Sequence, residues 1–183
     1  MRRGVFVFSA FMIVLAGAAS AQTNLGFTGG ALFPVGDFAE SADISPYVGV
    51  NLELQDVNAI GQVATLSFLL QGGSAFLQTD ADLENLLDAQ GNTEDGSYFD
   101  VGAGVRVYSK ASPLFISVGA SYLNLDLAGD SNSQSGFGAY IGVGFASAVT
   151  TFRLSVEGRT NLGLFADDNI QYFQALVGFG LPF

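Results

Sequence analysis

The side chains in this sequence that could carry chemistry are charged residues set among apolar and small ones. Six of them are placed by strand spacing on the face opposite the large apolar residues: Glu53, Asp100, Arg106, Arg153, Glu157 and Arg159. Charges enclosed in a protein are costly unless they are paired. We therefore expect two ion-pair clusters that plug an interior. One contains Glu53, Arg106 and Arg153, and the other three residues form the second cluster nearer the opposite end. The alternative is a hydrated interior in which the charges do not touch.

The sequence lacks the side chains on which most catalytic sites depend. It contains no His and no Cys, and its only lysine is Lys110. Ser and Asp are present, but the usual ways of activating a nucleophile then lack their base. Two carboxylates could serve a glycosidase-like mechanism, yet no pair stands out as a site. We predict that the protein is not an enzyme and has no catalytic residues, cofactor or dedicated metal site.

The first 21 residues have the pattern of an export signal. Met1-Arg2-Arg3 is basic, Val5 to Ala18 is nearly all apolar, and Ala19-Ser20-Ala21 is a small-x-small cleavage pattern. The alternative, a membrane anchor helix, needs about 20 apolar residues, more than this run supplies. We expect cleavage after Ala21, which leaves residues 22–183 as one exported domain.

The composition of the remaining chain is unusual for a water-soluble protein. The remaining chain contains four basic and seventeen acidic residues, a net charge of −13. This charge argues against nucleic acid as a partner. Charged residues are 13% of the sequence and hydrophobic ones 49%, whereas soluble surfaces usually carry about a quarter to a third charged residues. After the signal, no apolar run is long enough for a membrane helix. Contact with lipid would therefore have to be made by strands.

Apolar residues alternate with small or polar ones in eight segments, as in half-buried β-strands. The predicted strands cover residues 24–33, 47–54, 62–71, 98–109, 114–125, 135–146, 150–159 and 171–183. The polar faces are rich in Gly and Ser and poor in Lys and Glu, unlike a water-exposed surface. We infer that the apolar faces point outward to lipid. Because an open sheet edge is not tolerated in lipid, this predicts an all-β, eight-stranded antiparallel up-and-down transmembrane barrel.

The predicted links between the strands alternate between short and long. The short links are residues 55–61, 110–113 and 147–149, and the long, acidic ones are residues 34–46, 72–97, 126–134 and 160–169. Bacterial barrels have short periplasmic turns and longer extracellular loops. We expect the long set to lie outside the cell.

The longest link contains a segment, Thr79 to Gly96, with leucines at helical spacing behind a threonine that could cap a helix. A short surface helix is the simplest interpretation, and a partner-binding segment or a lid is the alternative. Asp80, Asp82 and Glu84 resemble part of a calcium loop, but Asn85 stands where that pattern needs glycine. Diffuse divalent-cation bridging to lipopolysaccharide is the more plausible role for these acids.

Together these features resemble the small eight-stranded outer-membrane barrels of the OmpA/OmpX type, the outer membrane β-barrel domain family, over the whole mature chain. The C-terminal residues Gly178, Phe179, Leu181 and Phe183 are similar to the family's signal for the outer-membrane assembly machinery. The resemblance implies the outer membrane of a Gram-negative bacterium, with lipid and lipopolysaccharide as neighbours, and a monomer. It does not imply one biochemical activity.

Two functions from different classes follow from this interpretation. The first is a structural or surface-interaction role exercised through the acidic extracellular loops, with an external partner that the sequence does not identify. The second is a narrow porin-like channel or ligand-binding barrel, because inward glycines leave room around the arginines. Glycines in strands also ease the twist of a tight barrel, and we favour that explanation.

Overall fold

The computed structural model describes residues 22–40, 42–77, 96–126, 133–149, 151–166 and 169–182. The predicted signal peptide (1–21), nearly all of the predicted loop helix (79–96) and Phe183 lie outside the described residues. Within the described ranges, no helix has the length and apolar character needed to cross a membrane.

Eight β-strands make up almost all of the described chain. They are β1 (Gln22–Val35), β2 (Ser45–Ile60), β3 (Ala64–Leu77), β4 (Gly96–Ser109), β5 (Leu114–Asp126), β6 (Gln134–Val149), β7 (Phe152–Leu164) and β8 (Asn169–Pro182), and a 3-10 helix (Gly36–Glu40) follows β1. Each strand pairs with the next in antiparallel fashion, and β1 pairs with β8 to close the barrel. The predicted eight-stranded up-and-down barrel is confirmed.

The seam between the first and last strands is as regular as the other pairings. β1 and β8 pair without a break from Asn24 opposite Pro182 to Val35 opposite Gln171. This pairing satisfies the backbone groups that a sheet edge would otherwise expose. The alternating apolar residues of β8 thus belong to the continuous outer wall, as the period-two pattern predicted.

The large apolar side chains cover the outside of the barrel. Phe27 is 53% exposed and Ile141 is 61% exposed, whereas Glu53 on the opposite face is 2% exposed. Successive residues of a strand point to opposite faces, so this outward orientation follows from the alternation. The interior therefore receives the polar and charged residues.

The strands extend beyond their predicted limits, and β2 differs most. It was expected to end at Leu54 but continues to Ile60, so the turn is residues 61–63 and the predicted link over 55–61 was too long. The pairing register with β3 shifts between Leu54 and Asn58, where Asp56 has a φ of 54°. Asp is one of the few residues that tolerate this left-handed conformation. The resulting bulge lets the strand continue past a stretch that breaks the alternation.

We call the end of the barrel that carries the β1–β2, β3–β4, β5–β6 and β7–β8 connections the outer end, and the opposite end the inner end.

The interior of the outer half is filled by large side chains, which the sequence analysis did not expect. Its buried core includes Leu32, Tyr47, Tyr98, Leu123 and Tyr172. Phe38, from the 3-10 helix, is buried over this core, with its ring centroid 6.4 Å from that of Tyr172. The described part of the outer mouth is thus closed by packed side chains.

Candidate functional site

The centre of the barrel interior holds a network of ion pairs. Arg106 of β4 donates from one terminal nitrogen to Glu53 of β2 at 3.1 Å and from the other to Glu157 of β7 at 2.6 Å. Arg159 and Ser117 also donate to Glu157. All five side chains are buried. Charge-assisted hydrogen bonds of this kind are strong, so the network ties four strands, β2, β4, β5 and β7, together across the interior.

Small neighbours make space for these long side chains. On either side of Arg106, the paired residues are Ser67 and Ser117. A Cβ atom at Gly142 would lie 2.7 Å from a carboxylate oxygen of Glu157, so only glycine admits the carboxylate there. Inward glycines thus serve the packing of the network, in addition to any effect on strand twist.

The network differs from the two separate clusters predicted from the sequence. Glu157, expected in the outer cluster, pairs with Arg106 of the inner one, and so joins the two. Strands in a barrel are tilted and staggered, so residues from different strand heights meet across the interior. The position of a charged residue along its own strand therefore did not reveal which residue it contacts across the interior.

Two of the six predicted charges have other partners. Asp100 accepts a hydrogen bond of 2.9 Å from the hydroxyl of Tyr47. The guanidinium of Arg153 lies over the ring of Tyr108, with its central carbon 4.1 Å from the ring centroid. Among the described residues, neither makes an ion pair.

Aromatic rings hold the two arginines of the network from another side. Arg106 lies 4.9 Å from the ring centroid of Phe115, and Arg159 lies 4.6 Å from that of Tyr140. Arg159 also donates to the side-chain oxygen of Gln71 at 2.7 Å. Stacking on aromatic faces is favourable for guanidinium groups. Each arginine is therefore held by a ring as well as by a carboxylate.

A layer of tyrosines lies on the outer side of the network. The hydroxyls of Tyr98 and Tyr172 are 2.7 Å apart, and both residues are buried. The sequence analysis did not predict this layer, because it described the inward faces as rich in small and polar residues. The alternation does indicate that both tyrosines point inward. Tyr98 falls on the same alternate positions as Asp100, and Tyr172 on those of Gln174.

The inner side of the network is more open. A cavity of about 20 Å³ is lined by Glu53, Arg106, Tyr108 and Arg153 together with residues of β1 and β8. This is about the space of one water molecule. A recess of about 410 Å³ adjoins it at the inner end, and Arg153 and Asn24 line both spaces.

The carboxylates of the network are engaged in ion pairs, so they are not arranged as a general acid and base. In the described part of the chain, no group of three or more His, Cys, Asp or Glu side chains is placed to hold a metal ion. What the arrangement can do is brace the barrel wall and obstruct the interior.

The C-terminal residues similar to an assembly signal lie on both faces of β8. Phe179 and Leu181 point outward at 39% and 44% exposure, and the ring centroid of Phe179 is 5.3 Å from that of Phe152. Gly178 faces inward against the side chain of Ser155. Phe183 lies outside the described residues, and recognition of this segment by the assembly machinery stays a prediction.

Comparison with known proteins identifies the fold. Neither a protein-family model nor a curated protein sequence matches the chain. Among solved structures, it is similar to Neisserial surface protein A (14% identity, 88% of this chain, 97% of that chain, TM-score 0.55). It is also similar to a major outer membrane protein from Thermus thermophilus (13% identity, 90% and 100%, TM-score 0.53) and to the N-terminal β-barrel domain of OprF from Pseudomonas aeruginosa (15% identity, 90% and 100%, TM-score 0.50). The chain shares the fold of small outer-membrane barrels.

Proposed function

We propose that this chain is a non-enzymatic integral outer-membrane protein with a structural or surface-interaction role. The observation that carries the proposal is the continuous apolar coat of the closed barrel. Phe137 is 71% exposed, Ile141 61% and Val156 56%, all on the outer wall. Soluble monomers rarely expose large contiguous apolar patches. Such an apolar surface is suited to contact with membrane lipid. The solved structures of this fold named above include outer-membrane proteins.

The surface-interaction part of the proposal rests on where the acidic residues lie. The four links at the outer end, residues 36–44, 78–95, 127–133 and 165–168, contain three, six, one and two of them, which is twelve of the seventeen in the sequence. None of the six basic residues falls in these links. With the outer end facing the medium, the barrel would present a strongly negative surface. Such a surface attracts cations and basic partners and repels other anions, and divalent cations could bridge it to lipopolysaccharide.

The second candidate is a narrow channel or ligand-binding barrel. The polar recess at the inner end favours it, but the outer half of the interior opposes it. Tyr47, Tyr98 and Tyr172 fill that half, and Phe38 lies over them. A solute that entered the recess would meet first the ion-pair network and then this core. We therefore favour the closed barrel.

Membrane fractionation of a Gram-negative host tests the location. We expect the mature protein in the outer-membrane fraction, with a gel mobility that changes on heating because a folded barrel resists detergent. N-terminal sequencing of that material should begin at Gln22 if the signal is cleaved as proposed. A detergent-free, monodisperse soluble protein would overturn the proposal.

Planar-bilayer recording separates the two candidates. The closed barrel predicts no steady conductance, whereas a channel predicts discrete openings. Substitution of Arg153 should leave the barrel closed, because this residue is not in the ion-pair network. Arg106→Ala should also leave it closed, because the outer core is made of side chains other than those of the network. Steady current through the unmodified protein would favour the channel.

A further inference from the structure

The inner end of the barrel carries a positive charge that no carboxylate neutralises within the described residues. Two carboxylates of the network, Glu53 and Glu157, are matched by Arg106 and Arg159. Arg153 has no ion pair and lies half-buried over the ring of Tyr108. A charge held this way stays available to an anion from solution.

Polar side chains with unused hydrogen-bonding capacity surround this charge. Asn24, Gln55 and Gln22 line the same recess of about 410 Å³ as Arg153. The side-chain oxygen of Asn24 and the side-chain nitrogen of Gln55 have no hydrogen-bond partner among the described residues. Asn24 is 5% exposed, so an unsatisfied polar group there is costly. A bound molecule that donates a hydrogen bond to the Asn24 oxygen would remove this cost.

Glycine preserves the space around Asn24. A Cβ atom at Gly180 of β8 would lie 2.7 Å from the Asn24 amide group. The recess also has an apolar wall, made by Ala146, Ala148, Phe152 and Pro182. Its volume is within the range of small-ligand pockets. The inner end thus combines a guanidinium that has no ion pair among the described residues, several amides and an apolar wall.

We propose that this recess binds a phosphate group, carried either by a small soluble molecule or by a phospholipid head group at the inner membrane surface. Arginine suits phosphate because its planar fork donates two parallel hydrogen bonds. Gln55 supplies a further donor through its unpartnered Nε2, and the unpartnered Oδ1 of Asn24 accepts from a P–OH group of the phosphate or from a hydroxyl of the head group. That the inner end faces the periplasm rests on the proposed function. The binding chemistry itself does not.

Titration of the purified barrel in a neutral sugar detergent tests the site, because such a detergent contains no phosphate. We expect inorganic phosphate to shift the Arg153 side-chain N–H resonance saturably. Arg153→Gln should weaken binding by about tenfold or more, as loss of a charged hydrogen-bond partner implies. Asn24→Ala should weaken it less, because the guanidinium remains.

Lys110→Gln is the matched control, because it removes one positive charge from a turn at the same end, outside the recess. Binding within about twofold of the unmodified protein is expected for this variant, since an exposed charge acts weakly at a distance. Heat-modifiable gel mobility checks that every variant is folded. Absence of a saturable shift, or equal binding by folded Arg153→Gln and the unmodified protein, would overturn the proposal.

A second arm separates the two sources of phosphate. Short-chain phosphatidylglycerol below its micelle concentration is titrated in place of inorganic phosphate. Tighter, Arg153-dependent binding of this lipid assigns the site to a head group, and equal or weaker binding assigns it to a soluble phosphate. Both titrations use the purified barrel. A negative result would therefore overturn the binding site without bearing on the proposed membrane location.

Discussion

Arg106 and Glu157 lie 51 positions apart in the sequence, yet a nitrogen of one is 2.6 Å from an oxygen of the other in the barrel interior. They belong to β4 and β7, which are not neighbours in the sheet. Their contact is therefore a direct link across the interior, and it depends on the whole barrel having closed.

Removal of the charge on Glu157 should destabilise the barrel strongly. Glu157→Gln leaves Arg106 and Arg159 without their shared partner, and breaking a buried ion pair in this way costs about 3–5 kcal/mol. Urea unfolding followed by heat-modifiable gel mobility measures the change in the free energy of unfolding. Asp56→Asn removes an exposed carboxylate at the β2 bulge and should have little effect. Equal losses in the two variants would contradict the role of the network.

The hydroxyl pair of Tyr98 and Tyr172 should behave as a coupled unit. Tyr98→Phe leaves the hydroxyl of Tyr172 without its partner, at a cost of about 1–3 kcal/mol in the free energy of unfolding. The double variant Tyr98→Phe with Tyr172→Phe leaves no orphaned hydroxyl. We expect it to lose less than the sum of the single losses in the same urea assay. Simple additivity would show that the hydroxyls do not stabilise each other.

Two glycines should respond differently to alanine. A Cβ atom at Gly104 would lie 2.6 Å from the backbone oxygen of Val118, whereas a Cβ atom at Gly29 would meet nothing within 4 Å. A backbone atom cannot move aside cheaply, so Gly104→Ala should cost about 1–3 kcal/mol, as overpacking usually does. Gly29→Ala should be close to neutral. The comparison of their urea midpoints tests the crowding of the interior.

A charge on the outer wall should be tolerated poorly if that wall faces lipid. Ile141→Arg should cost about 2–4 kcal/mol, the usual penalty for arginine on the lipid face near the membrane midplane. The folding free energy is measured in phospholipid vesicles. Ala111→Arg, in the exposed β4–β5 turn, is the control and should be near neutral. Equal tolerance of both substitutions would argue against a lipid-facing wall.

Much of this architecture was predictable from the sequence because it depends on local patterns. The alternation of residues such as Phe137, Ile141 and Val143 identified the outward face without any knowledge of strand partners. Strand ends were less predictable, since β2 passes a bulge at Asp56 that interrupts the alternation. The tyrosine layer was not predicted, because Tyr98 and Tyr172 come together only across the closed barrel.

The pattern of side chains along the chain was enough to determine that eight strands form a closed barrel, and which face of each strand points outward. The pleat of a strand places successive residues on opposite sides whatever lies beside it. Only the tertiary structure decided that Glu157 meets Arg106, that Asp100 binds Tyr47 and that Arg153 is left without a carboxylate among the described residues. Those contacts depend on the tilt and stagger of strands around the barrel, which bring together residues that no local pattern relates.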